Sequence, residues 1–118
     1  MTESSLSIHR GFEHLHRMAL VTEMTLSHIS DWDVSTVNDM SFMFDEAKSF
    51  NQDISRWDIS NVTDMRWMFF NNISFNQDLS PWGDKLHKDV DVSGMFEGSG
   101  LEGNEPQWYL DKIYLCTI

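Results

Sequence analysis

The sequence predicts an α/β solenoid of about three 25-residue coils with parallel strands, a helical cap at the N-terminus and an aromatic cap at the C-terminus. Two observations predict the body. Trp32, Trp57 and Trp82 recur at intervals of 25, and residues 32–55 laid over 57–80 agree at 14 of 24 positions. A third observation predicts the ends: an apolar cluster lies beyond the repeats on each side.

The unit is too short to bury its own apolar face, so units must stack to line one continuous core. The recurring large apolars are Trp57, Ile59, Val62, Met65, Met68, Phe69, Phe75 and Leu79, with counterparts 25 residues earlier. They read as core columns, in which aromatics supply area and methionines fill gaps. A third copy starts at Trp82, carries two extra residues between Gly83 and Asp89, and rejoins the pattern at Met95-Phe96. A partial copy precedes the first, since Ile29-Ser30-Asp31-Trp32 echoes Ile54-Ser55-Arg56-Trp57.

Each unit divides into two elements. In Phe50–Ser55, two-residue alternation puts Phe50 and Ile54 on one face and Asn51 and Asp53 on the other, as in a strand. Asp39–Phe44 reads as one or two helical turns that bring Met40, Met43 and Phe44 to one side. Ser, Thr and Asn corners join them. Strand plus short helix per coil gives a leucine-rich-repeat-like stack with strands about 4.8 Å apart. The chain is read as a single domain, with residues 1–25 as N-terminal cap, 26–104 as repeats and 105–118 as C-terminal cap. Ile8, Phe12, Leu15 and Ala19 form the stripe of an amphipathic cap helix, with Ser7 at its N-cap and Gly11 weakening it. At the other end the cap is Trp108, Tyr109, Leu110, Ile113, Tyr114 and Leu115.

The motif WD(I/V)SNVTDM, followed by MF and then SFNQDIS, closely resembles the bacterial surface-protein 26-residue repeat, the DUF285 or BspA-like leucine-rich-repeat family. The resemblance covers roughly residues 26–109, including the closing segment Met95–Ser99 and Asn104–Tyr109. It implies a right-handed solenoid, frequent surface display, interaction roles and no known catalytic residues.

Composition narrows the function. The 118 residues carry 19 acids against 8 bases, a formal charge of -11. Direct binding to nucleic acid calls for a basic patch, and an anionic membrane surface does too. No apolar run approaches the roughly 20 residues of a membrane span. The single cysteine, Cys116, supports neither a disulfide framework nor a cysteine-built zinc site. Residues 1–20 lack the basic start and apolar core of a secretory signal, which predicts a cytoplasmic protein, or a surface one only as a processed fragment.

Catalytic motifs such as GxSxG, Walker A and HExxH are missing, so no enzyme, cofactor or metal is expected. His9, His14 and His16 form the one histidine cluster, read as a solvated helix face. The aspartates recur as Asp33/Asp58, Asp39/Asp64/Asp91 and Asp53/Asp78. Without calcium-loop glycines they read as partners of loop backbone more than as calcium ligands. Asn61-Val62-Thr63 and Asn72-Ile73-Ser74 match the glycosylation sequon, which Asn-rich corners produce by coincidence.

Residues 31–118 hold 16 of the acids and six of the bases, so the repeats are the acidic object. Departures from the repeat point to a working surface. Phe70 replaces Asp45 and Glu97, Trp67 replaces Phe42 and Gly94, and Arg66 replaces Ser41 and Ser93. Trp and Arg are favoured interface anchors. The candidate partner-binding residues are Asp53, Asp78, Arg66, Trp67, Phe70, Asp45 and Glu46. The expected function is a non-catalytic protein-interaction module for a basic protein partner. One form is an acidic inhibitor or immunity-type protein whose carboxylates compete with phosphates on a nuclease or nucleic-acid-binding protein. The alternative is a surface adhesin or host-ligand module. A homodimer through an open end of the stack is also expected to be possible.

Overall fold

The computed structural model describes residues 29–115. The cap helix expected over 1–25, the histidine cluster and Cys116 lie outside the described residues.

The predicted α/β solenoid with parallel strands is not formed. Among the described residues the strand-like pairings are two isolated parallel bridges, Asp39 with Asp64 and Asp64 with Asp91. Among the described residues the one α-helix is α1, Gln107–Leu115. Short 3-10 turns occupy Ile29–Asp31 and Ser80–Asp84. The rest is reverse turns and irregular chain around one apolar core.

The backbone itself explains both failures. The helical turns expected over 39–44 are broken at Phe42, which sits at φ 59°. Its N–H donates to Arg66 O at 3.0 Å, in the next copy, and not within its own copy. Glu46 repeats the device at φ 62°. The same two places carry Trp67 and Asn71 at 58°, then Gly94 at 63° and Gly98 at 75°. A left-handed residue at every fourth position forbids a continuous helix. The strand expected over 50–55 fails for another reason. Phe50 and Ile54 are buried while Asn51 and Asp53 are exposed, as alternation requires. The Asn51 side chain, however, takes the place of a backbone acceptor: Asn76 N–H donates to Asn51 Oδ1 at 2.9 Å. Side chain competes with ladder, and no strand results.

The copies nevertheless lie side by side in register. The N–H groups of Met40, Phe42, Phe44 and Glu46 donate to the carbonyls of Asp64, Arg66, Met68 and Phe70 at 2.7–3.0 Å. Those of Met65, Trp67, Phe69 and Asn71 donate to Asp91, Ser93, Met95 and Glu97 at 2.8–2.9 Å. Intervening residues close turns, as when Met43 N–H donates to Met40 O and Met68 N–H to Met65 O.

This register stacks like on like. Phe44, Phe69 and Phe96 form a near-parallel column with centroids 5.7 and 5.6 Å apart. Phe50 and Phe75 form a second at 6.0 Å. Met43, Met68 and Met95 are buried beside them. Each core tryptophan also bonds backwards. Trp57 Nε1 donates to Ile29 O at 2.8 Å, Trp82 Nε1 to Ile54 O at 3.1 Å and Trp108 Nε1 to Leu79 O at 2.8 Å. The buried indole thus stays satisfied while contributing its area. Trp108 opens α1 and lies over Trp82, while Tyr109 meets Phe96 edge-on at 4.9 Å. α1 therefore packs on the aromatic columns.

Candidate functional site

The aspartates come first, because their spacing is regular. The sequence repeats Asp, one apolar residue, then Ser at 33–35, 39–41, 53–55, 58–60, 78–80 and 91–93. In each the serine N–H donates to the aspartate Oδ1, at 2.9–3.1 Å. At 33, 39, 58 and 91 the serine hydroxyl adds a second bond at 2.6–2.7 Å. These are Asx turns, in which the side chain replaces a backbone acceptor. The bond from the Ser60 hydroxyl, and then that from its N–H, hold the Asp58 carboxyl below the usual aspartate range. Asp33 and Asp78 are lowered in the same way by Ser35 and Ser80, and Asp53 by the Ser55 N–H first.

Arg66 breaks the motif in the middle copy and replaces its serine. Its N–H still donates to Asp64 Oδ1 at 3.1 Å, and its guanidinium grips both oxygens at 2.9 Å. That fork lowers the Asp64 carboxyl and raises the Arg66 guanidinium, which Asp91 and Asp39 raise further. Arg66 is thus an exposed cation already paired with the Asp64 carboxylate.

Beside it lies an apolar row. Trp67 and Phe70 are partly exposed and meet edge to face at 5.4 Å. Trp67 lies over Gly94 of the next copy, where a Cβ would fall inside the indole ring. Its left-handed backbone turns the ring outward over that glycine, away from the buried columns. Ile73, three residues beyond Phe70, is 64% exposed, and Phe42, the counterpart of Trp67 one copy earlier, is 45% exposed. The first copy contributes charge to this face. Glu46 N–H donates to Phe70 O at 2.7 Å, and Glu46 Oε2 accepts from Asn71 Nδ2 at 3.0 Å. Asp45, whose N–H donates to Phe42 O, precedes it.

Five of the seven expected site residues therefore share one face: Asp45, Glu46, Arg66, Trp67 and Phe70. Asp53 and Asp78 stand apart, in the stretch of each copy that follows the buried phenylalanine, and serve Asx turns there. Sequence reasoning passed over Phe42 and Ile73 as members of the face. It also passed over Trp108 as a tryptophan of the core column, although Trp108 follows Trp82 by 26 residues. Glycine at 94 and 98 was the readable sign of left-handed positions that Phe42, Glu46, Trp67 and Asn71 share.

Among the described residues no group of three or more His, Cys, Asp or Glu could hold a metal ion. Among them, too, no helix is long and apolar enough to cross a membrane. The turn-built copies and their mixed apolar and acidic face define a small repeat protein. Residues 12–114 match the family described as "Mycoplasma protein of unknown function, DUF285", and the chain belongs to that family. Comparison with curated proteins and with solved structures finds no match.

Proposed function

We propose that the chain is a non-catalytic protein-interaction module whose working surface is the exposed row Phe42, Trp67, Phe70 and Ile73, and whose partner is a basic protein. One observation carries this reading. The middle copy places Trp67, Phe70 and Ile73 on the surface, the two aromatics touching, where its neighbours place Phe42 and Gly94, Asp45 and Glu97, and Lys48 and Gly100. Grouped exposed apolars among polar residues mark interaction sites. Trp and Phe supply contact area, and the carboxylates around them steer a cationic surface and fix its orientation.

The acidic rim consists of Asp39, Glu46, Asp91 and Glu97, all exposed. With Arg66 already held by Asp64, the face meets its partner as an acidic one. An inhibitor of a nucleic-acid-binding protein is the sharpest form of this reading, since its carboxylates would occupy lysines and arginines that otherwise hold phosphates.

The test is a pulldown with the full chain from its native host, followed by affinity measurements on the captured protein. The expected partner has a basic surface, and its affinity falls by at least about tenfold between roughly 50 and 500 mM salt as screening grows. An acidic partner, or an affinity indifferent to salt, contradicts the proposal.

A further inference from the structure

The first copy offers the second a pair of acceptors built from one asparagine, Asn51. Gln77 Nε2 donates to Asn51 Oδ1 at 2.9 Å and to Asn51 O at 3.1 Å. The N–H of Asn76 donates to the same Oδ1. Asn76-Gln77-Asp78 then repeats Asn51-Gln52-Asp53, but no asparagine–glutamine pair follows it in the third copy. The chain turns instead through Glu105 and Pro106 into α1, leaving a cleft of about 320 Å³ beside Asn76.

The walls of this cleft suit one kind of group. Leu79, Leu101 and Pro106 lie behind it and are buried, so the surface that the cleft exposes is mainly polar. Asn76, Asp78 and Glu105 supply the polar wall, and no lysine or arginine lines it. Bonds from Ser80 hold the Asp78 carboxyl below the usual aspartate range. The negative charge of Glu105 is felt nearby, where it adds to burial in raising the Tyr109 hydroxyl. The volume lies at the low end for ligand cavities, so it admits a side chain more readily than a folded element.

We propose that this cleft receives the guanidinium of an arginine from the protein partner. One of its NH₂ groups takes the double acceptor of Asn76 O and Oδ1, as the Gln77 amide takes that of Asn51. Its remaining donors face Asp78 and Glu105. Arginine fits better than glutamine because the wall is charged. It fits better than lysine because a planar group presents several donors in a fixed fork. The assignment deepens the preceding reading and rests on it for the source of the arginine.

The test titrates N-acetyl-arginine methylamide into the ¹⁵N-labelled full chain, with the citrulline analogue as the neutral control. The arginine probe should shift the amides of Asn76, Gln77 and Glu105 saturably, and citrulline should bind at least about tenfold more weakly, since charge-assisted bonds are about twice as strong as neutral ones. Asn76→Ala and Glu105→Gln should each weaken the arginine probe while leaving distant resonances in place. The Asn76 bond to Asn51 uses its backbone, so the alanine variant retains it. Shifts spread over the whole acidic surface, equal binding of both probes, or indifference to both variants would overturn the assignment. Partner affinity of the Trp67→Ala, Phe70→Ala variant reads the apolar face separately. If that variant loses the partner while the probe fails at the cleft, the cleft assignment falls and the surface reading stands.

Discussion

The buried columns and the exposed row treat repetition in opposite ways. In the columns the copies agree: Phe44, Phe69 and Phe96 stack on one another, and Trp57, Trp82 and Trp108 each bond the carbonyl of a residue 28–29 positions back. In the row the copies disagree: Phe42 gives way to Trp67 and Gly94, and Asp45 to Phe70 and Glu97. A column position meets its own counterparts above and below, so a change there must fit two neighbours at once. A row position meets solvent, and its identity is free to serve something outside the chain. The acids divide the same way. Aspartates in the Asp-x-Ser turns answer to their own backbone, whereas Glu46 and Glu97 lie on the variable face.

The comparison breaks first at the columns. Trp82→Ala removes a fully buried indole and its bond to Ile54 O. Truncation of a core aromatic costs about 3–5 kcal/mol, so chemical denaturation should show a large fall in midpoint or no folded protein. A change below about 1 kcal/mol would mean that the tryptophan column does not hold the copies together.

Gly94→Ala lies where row and neighbouring copy meet. The residue has φ 63°, and its missing Cβ makes room for the Trp67 ring. An L-residue in the left-handed region costs about 1–2 kcal/mol, and displacement of the ring adds to it. Thermal melts should place this variant between Trp82→Ala and wild type. Gly103→Ala, at φ 90° but with no atom near a Cβ, separates backbone strain from the ring contact.

Acid should weaken the fold more gradually. Asp33, Asp53, Asp58, Asp64 and Asp78 are all lowered in the folded chain by bonds from serine or arginine. Their unfolded values are higher, near 3.8. The stabilisation is therefore complete above that value and is lost as pH falls through the lower folded values. Melting temperature should stay level from neutral pH to about 5 on this account and then decline. Asp58→Asn should flatten part of the decline, because asparagine keeps an acceptor for Ser60 without titrating.

Much of this arrangement was legible in the sequence, and the exceptions have physical causes. The core columns followed from the 25-residue spacing, since stacked copies can bury only positions that recur. Secondary structure did not follow. Apolar spacing at Met40, Met43 and Phe44 matches a helix, yet successive turns through left-handed Phe42 and Glu46 bury the same three side chains. Alternation at Phe50–Ile54 matches a strand, yet Asn51 substitutes its side chain for the ladder. Periodicity reports which faces are buried; it does not report whether backbone or side chain makes the bonds between copies. The candidate surface was legible only through departures from the repeat. Departures from the repeat singled out Arg66, Trp67 and Phe70, which the structure groups with Asp45 and Glu46. Asp53 and Asp78 lie apart from these five, each bonded to the serine two residues beyond it, as the reading of the repeated aspartates as partners of loop backbone expects.

The most direct test of the division between column and row is the Trp67→Ala, Phe70→Ala double variant, assayed for melting temperature and partner affinity on the same preparation. Both rings are partly exposed and belong to the row, so the melt should remain cooperative and partner affinity should drop at least about tenfold, the scale of a lost hot spot. A variant that binds as wild type, or one that no longer folds, would contradict the assignment of these two aromatics to an outward-facing binding surface.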